Sequence, residues 1–93
     1  MGYSFRQFTA ACPEQWVIGR GDRAVAYLRV RSGEITVRTV QGASINDDPY
    51  GMSVGDVVYF HKYEDDTINE LAGRPDERIR REEICAALDK LVA

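Results

Sequence analysis

The chain has 93 residues, 44% hydrophobic and 29% charged, with a formal net charge of −3 and a pI near 5.1. This balance excludes disordered, collagen-like and disulfide-dense chains and predicts one globular domain over residues 1–93. No apolar run reaches the ~20 residues of a bilayer span and the start lacks a signal-peptide pattern, so a cytoplasmic location is expected.

Residues 3–9, YSFRQFT, read as an edge strand that Pro13 ends, because proline cannot donate to a ladder. EQWVI follows as a short β run. Gly19, Arg20, Gly21 and Asp22 then connect it to RAVAYLRVR, residues 23–31, and a three-residue loop with Gly21 left-handed sets Ile18 against Asp22 and Trp16 against Ala24. Strict alternation puts Ala24, Ala26, Leu28 and Val30 on one face and Arg23, Val25, Tyr27, Arg29 and Arg31 on the other. A two-residue loop at Ser32 and Gly33 leads into EITVRTV and pairs Arg31 with Glu34, Val30 with Ile35, Arg29 with Thr36, Leu28 with Val37 and Tyr27 with Arg38.

Residues 41–53 hold Gly, Asn, Asp and Pro at loop density, and DVVYFHKY at 56–63 is the last strand. It places Val58 and Phe60 on one face and Val57, Tyr59, His61 and Tyr63 on the other. Thr67 and Glu70 fit a capping box for a short helix ending at Gly73. Pro75 and Asp76 open a longer helix to about Val92, with Ile84, Leu88, Leu91 and Val92 as its apolar stripe beside Cys85. Ile79 falls off that stripe, so either the helix starts later than Asp76 or Ile79 is exposed and touches something, as a contact in a homodimer would. The fold class is α+β: a four- to five-stranded antiparallel meander with one short and one longer C-terminal helix on one face.

Catalytic signatures are missing from the sequence. Nucleophilic catalysis would have to join the single His61 to Cys12 or Cys85, and neither sits in a recognisable motif. One histidine and two scattered cysteines make no zinc site, and the acids around Asp47 and Asp65 lack the calcium-loop pattern, so no metal and no cofactor are expected. Gly19 and Gly21 lead into a strand, whereas a phosphate cradle leads into a helix. An adhesion role for Arg20, Gly21 and Asp22 requires export, which the start of the chain does not predict.

Charge is more informative. Residues 1–40 hold six arginines against Glu14, Asp22 and Glu34, while residues 41–93 hold twelve acids against six bases. Two candidate faces follow. An acidic one gathers Asp47, Asp48, Glu64, Asp65 and Asp66 with Tyr50 and Tyr63, a mixture that suits a protein partner with a basic groove. A basic one gathers Arg20, Arg23, Arg29, Arg31 and Arg38 with Tyr27 on the outer side of the central hairpin, where guanidiniums could hold phosphates and the ring could stack on a base. The wet face of any two-layer fold carries polar residues as well, and the low pI argues against nucleic acid as first choice.

MSVGDVVYF, residues 52–60, resembles the Gly-Asp turn into a strand of small SH3-like or PUA-like barrels. The whole chain, short and without a catalytic constellation, resembles phage and mobile-element inhibitors of the anti-CRISPR kind, a group without a shared sequence pattern to transfer residues from. The likeness implies a stoichiometric inhibitor that occupies a nucleic-acid-binding surface of a bacterial defence complex, in the host cytoplasm if the gene is carried by a phage. The missing catalytic constellation makes a non-enzymatic binding protein the expectation, as a monomer or, through Ile79 and the edge strand, a homodimer. The alternative is a nucleic-acid-binding module using the arginine-lined hairpin.

Overall fold

Ser32 and Gly33 take φ of 53° and 76°, the positive pair a type I′ loop needs, and they lock the central hairpin of the molecule. The structure, a computed structural model, describes residues 2–10, 13–64 and 67–92. Around that hairpin, β3 (Arg23–Arg31) and β4 (Glu34–Ser44), lie β1 (Ser4–Thr9), β2 (Glu14–Arg20) and β5 (Ser53–Lys62), in the order β1-β2-β3-β4-β5, all antiparallel. The pairing of Arg31 with Glu34 through Tyr27 with Arg38 is the register that the two-residue loop dictates. The sheet is open, not a barrel. Gly55 and Asp56, expected as a turn, lie inside β5, where the register against β4 slips.

At the other end of β3 the turn is also two residues long. Arg20 pairs with Arg23, and of the intervening pair only Gly21 has positive φ, at 64°. The register then slips at Val25: Ile18 faces Ala26, Gly19 faces Ala24, and Trp16 faces Leu28 rather than Ala24. Such a bulge reverses the alternation beyond it. Ala24 therefore joins Val17 and Val40 on one side of the sheet, while Val25 packs with Ala26 on the other.

Helices cover the second side: α1 (Thr67–Glu70), α2 (Pro75–Arg78) and α3 (Arg81–Val92). They contribute Ile68, Ile79, Ile84 and Leu88 to a core with Ile18, Ala26, Leu28, Val30, Ile35 and Val37. The single long helix expected from Pro75 is broken. Ile79 ends α2, Arg80 takes φ of 61°, and α3 starts in a new phase. That break overturns the reading of Ile79 as a dimer contact, because it turns the side chain inward to 0% exposure. Leu91, expected in the stripe, is exposed in the last turn of α3; the side chain of Val92 lies outside the described residues.

The expected loop at 41–53 is shorter, since β4 runs on to Ser44 past a positive-φ Gly42, and a 3-10 turn occupies Pro49–Gly51. Ile45 and Met52 pack from this loop onto Val17, Ala24 and Val40. Gly19 makes the approach possible, because a Cβ there would collide with the Ile45 side chain. Among the described residues no helix is long and apolar enough to cross a membrane.

Candidate functional site

The loop covers only one end of the sheet's outer side. Beyond it, the register sets out three cross-strand rows: Val17, Tyr27, Arg38 and Val57; Gln15, Arg29, Thr36 and Phe60; Arg31, Glu34 and Lys62. No helix covers them. The I′ turn puts Arg29 and Arg31 on this side, and a register slip between Val57 and Tyr59 turns Val58 toward the core while Val57 and Phe60 stay out, 46% and 54% exposed. Sequence alternation missed Phe60 by grouping it with Val58, since an unbroken apolar run hides a bulge.

The arginines here differ from those of the helical layer. Arg74 pairs with Glu77, Arg78 with Glu14, Arg80 with Glu83 and Arg81 with Asp76. Among the described residues no carboxylate pairs with Arg29, Arg31 or Arg38; Arg38 donates Nη1 to the Gly55 carbonyl at 3.1 Å. Glu34, the one acid of the three rows, stands 4.0 Å from Lys62, an exposed pair that contributes little. The Nε of Arg29 and the Oε1 of its cross-strand neighbour Gln15 are both enclosed without a hydrogen-bond partner among the described residues.

Aromatic groups border the arginines. Gln15 Nε2 donates to the Tyr50 hydroxyl at 3.2 Å, and Tyr50 meets Phe8 edge to face with ring centroids 5.7 Å apart. Burial pushes the Tyr27 hydroxyl's pKa up; Arg29 opposes that rise and Tyr50 adds to it, so the three groups share one neighbourhood. Arg6, at the edge of the first row, is committed to structure: Nε donates to the Ile45 carbonyl at 2.7 Å and Nη2 to the Asp47 carbonyl at 2.8 Å.

No family model matches this chain, and neither the curated proteins nor the solved structures contain a significant match to it.

Two arginines predicted for the basic face leave it. Arg20 lies 5.9 Å over the ring of Tyr3, a core residue on the helical side, because it alternates in β2 with the core residue Ile18. Its cross-strand neighbour Arg23 follows because the Val25 bulge inverts this end of β3. Tyr27, Arg29, Arg31 and Arg38 remain together.

The acidic set is not brought together. Asp47 and Asp48 precede β5, and their carboxylates accept from the backbone N–H groups of Ser44 and Tyr50 at 2.9 and 2.8 Å, holding the loop in shape. Tyr63 and Glu64 follow β5, about 30 Å away at the rise of an extended strand, and Tyr63 Oη donates to the Arg78 carbonyl at 3.1 Å. Asp65 and Asp66 lie outside the described residues. Tyr50, 75% exposed, belongs to the uncovered sheet face instead.

A concavity of about 750 Å³ opens at the edge of this face, between Pro13, Val30, Arg31, Asn69 and the pair Glu14 and Arg78. Of its three charged groups Glu14 and Arg78 satisfy each other, and Arg31 is left without a carboxylate among the described residues. His61 sits edge-on to Tyr63 at 4.6 Å, and burial raises the Cys85 thiol's pKa, which keeps it a weak nucleophile at neutral pH. Cys12 lies outside the described residues, and among those described no three His, Cys, Asp or Glu side chains gather as a metal site.

Proposed function

We propose that the protein acts by binding, not catalysis, and that it takes a polyanionic partner on the uncovered side of its sheet. The observation that carries this reading is the contrast between the helical arginines, each paired with a carboxylate, and Arg29, Arg31 and Arg38, which have none among the described residues. Guanidiniums on one flat face are free to exchange water for phosphate, sulfate or carboxylate oxygens. The expected inhibitor role through an acidic face finds less support, because its described acids stand at opposite ends of β5 and two of them cap their own loop.

Retention on immobilised heparin tests the reading. The wild-type chain is expected to bind at low salt and to elute as ionic strength rises, and Arg29→Gln with Arg38→Gln should abolish retention while Asp47→Asn leaves it in place. Failure of the folded wild-type protein to bind at low salt, or full retention of the double arginine variant, would overturn it.

A further inference from the structure

Resting on that reading, we infer that the polyanion is single-stranded nucleic acid, lying across β3, β4 and β5 with bases against Tyr27 and Phe60 and phosphates on Arg29, Arg31 and Arg38. A carboxylate peptide or a sulfated sugar satisfies the arginines but brings no flat π surface for the rings between them. A base does, and base–aromatic stacking tolerates any sequence. The rows interleave the two chemistries: Tyr27 is followed by Arg38, and Arg29 leads through Thr36 to Phe60. Phe60 keeps half its surface in water on the row of Arg29, a costly place for an apolar ring that meets no partner.

The strand must be unpaired. Tyr27 and Phe60 are two strands and one row apart, roughly 12 Å at ordinary sheet spacings, whereas bases inside a duplex are stacked about 3.4 Å apart and present only their edges. The major groove of a duplex, about 12 Å wide, admits a helix or a two-stranded ribbon but not a five-stranded sheet laid face-on, so the two rings reach bases in an unpaired strand.

Net charge does not oppose this. The exposed acids Asp76, Glu77 and Glu82 stand on the helical layer of a molecule 22 Å across its shortest axis. At physiological salt the Debye length is about 8 Å, which screens these acids from the sheet's outer face. There the three rows set Arg29, Arg31, Arg38 and Lys62 against Glu34, and Asp47 and Asp48 stand on the adjoining loop with their carboxylates on backbone N–H groups.

The test is fluorescence anisotropy of labelled oligo(dT) and oligo(U), against a duplex of equal length, with heparin and polyglutamate as competitors. Wild type should bind both single strands at low salt, more tightly than the duplex. Phe60→Ala, on an exposed side chain that the core does not need, should weaken oligonucleotide binding about tenfold while retention on heparin stays unchanged, and Tyr27→Leu should act the same way. Arg29→Gln should flatten the dependence on salt. If oligonucleotides bind but Phe60→Ala changes nothing, or the duplex binds as well as the single strand, the nucleic-acid inference falls and the polyanion reading stands. If neither heparin nor oligonucleotide binds at tens of micromolar, roughly the range of non-specific affinity, both fall.

Discussion

Arg78 donates from one guanidinium nitrogen to both carboxylate oxygens of Glu14, joining the end of α2 to the first residue of β2. Trp16 Nε1 adds a third bond to Glu14 at 2.6 Å, and the paired side chains keep only 16% and 9% of their surface in water. Removing one partner of an enclosed pair leaves the other charge without compensation, so Arg78→Met is expected to cost about 3 kcal/mol. Adding Glu14→Gln to it discharges the stranded carboxylate and leaves an acceptor for Trp16, and most of the loss should return. Urea unfolding of both variants checks the pair; a loss below about 0.5 kcal/mol in Arg78→Met would show an interaction no stronger than an ordinary surface bridge.

Ile79 and Leu91 form a second comparison: Ile79 is buried where a helix continuous from Pro75 would expose it, and Leu91, expected in the apolar stripe, is exposed. Ile79→Ala should cost about 2–5 kcal/mol, as buried aliphatic truncations do. Leu91→Ala should stay within about 0.5 kcal/mol. A cost at Ile79 within the surface range of about 0.5 kcal/mol would mean that residue 79 is exposed, as in a helix continuous from Pro75, and that the break at Arg80 does not form.

These two residues also mark the limit of what was legible in the chain. The Ser32–Gly33 loop and the alternation around it fix a register residue by residue, because a slip of one would turn every apolar side chain outward. The hairpin of β3 and β4 and the α+β class were readable for that reason. Bulges were not: Val25 and Val58 are apolar residues in apolar runs, and which one is the extra residue depends on the neighbouring strand. The break at Arg80 carried a faint signal in the misfit of Ile79, but arginine is a good helix former and gives no local cue for positive φ. Of the candidate face, Tyr27, Arg29, Arg31 and Arg38 were visible through the hairpin register, and the departure of Arg20 through its alternation with Ile18 in β2, whereas Phe60 and the departure of Arg23 depended on the bulges.

Arg80 itself stores a testable conflict. An L-residue in the left-handed region costs roughly 1–2 kcal/mol, and here it is held by Nε donation to the Tyr59 hydroxyl at 2.8 Å and by the ion pair with Glu83. Alanine would lose those bonds and keep the strain, while glycine would lose the bonds and relieve it. Arg80→Gly should therefore be more stable than Arg80→Ala by about 1 kcal/mol, the reverse of their order inside a helix. Denaturant midpoints decide it, and alanine above glycine would place residue 80 in ordinary helical φ.

The same cluster sets the pH range of stability. The hydrogen bond from Arg80 holds the Glu83 carboxyl below its ordinary value, so the folded state favours the ionised form. That contribution is complete above the ordinary glutamate pKa of about 4.3 and is lost as pH falls through the lower folded value. At the alkaline end the direction reverses: burial raises the hydroxyls of Tyr3, Tyr27 and Tyr59, and the folded state favours their protonated form. Their contribution is complete below about pH 10 and is lost as pH rises through the folded values. The Cys85 thiol, also raised by burial, begins the alkaline loss from its ordinary value of about 8.5. Urea midpoints should hold level between about pH 4.3 and about pH 8.5 and decline on both sides, and Glu83→Gln should flatten the acid decline alone. Tyrosinate absorbance supplies the second readout: part of the tyrosine signal should appear only above the ordinary range, on unfolding, and a single titration of all five residues near pH 10 would contradict the burial of these three.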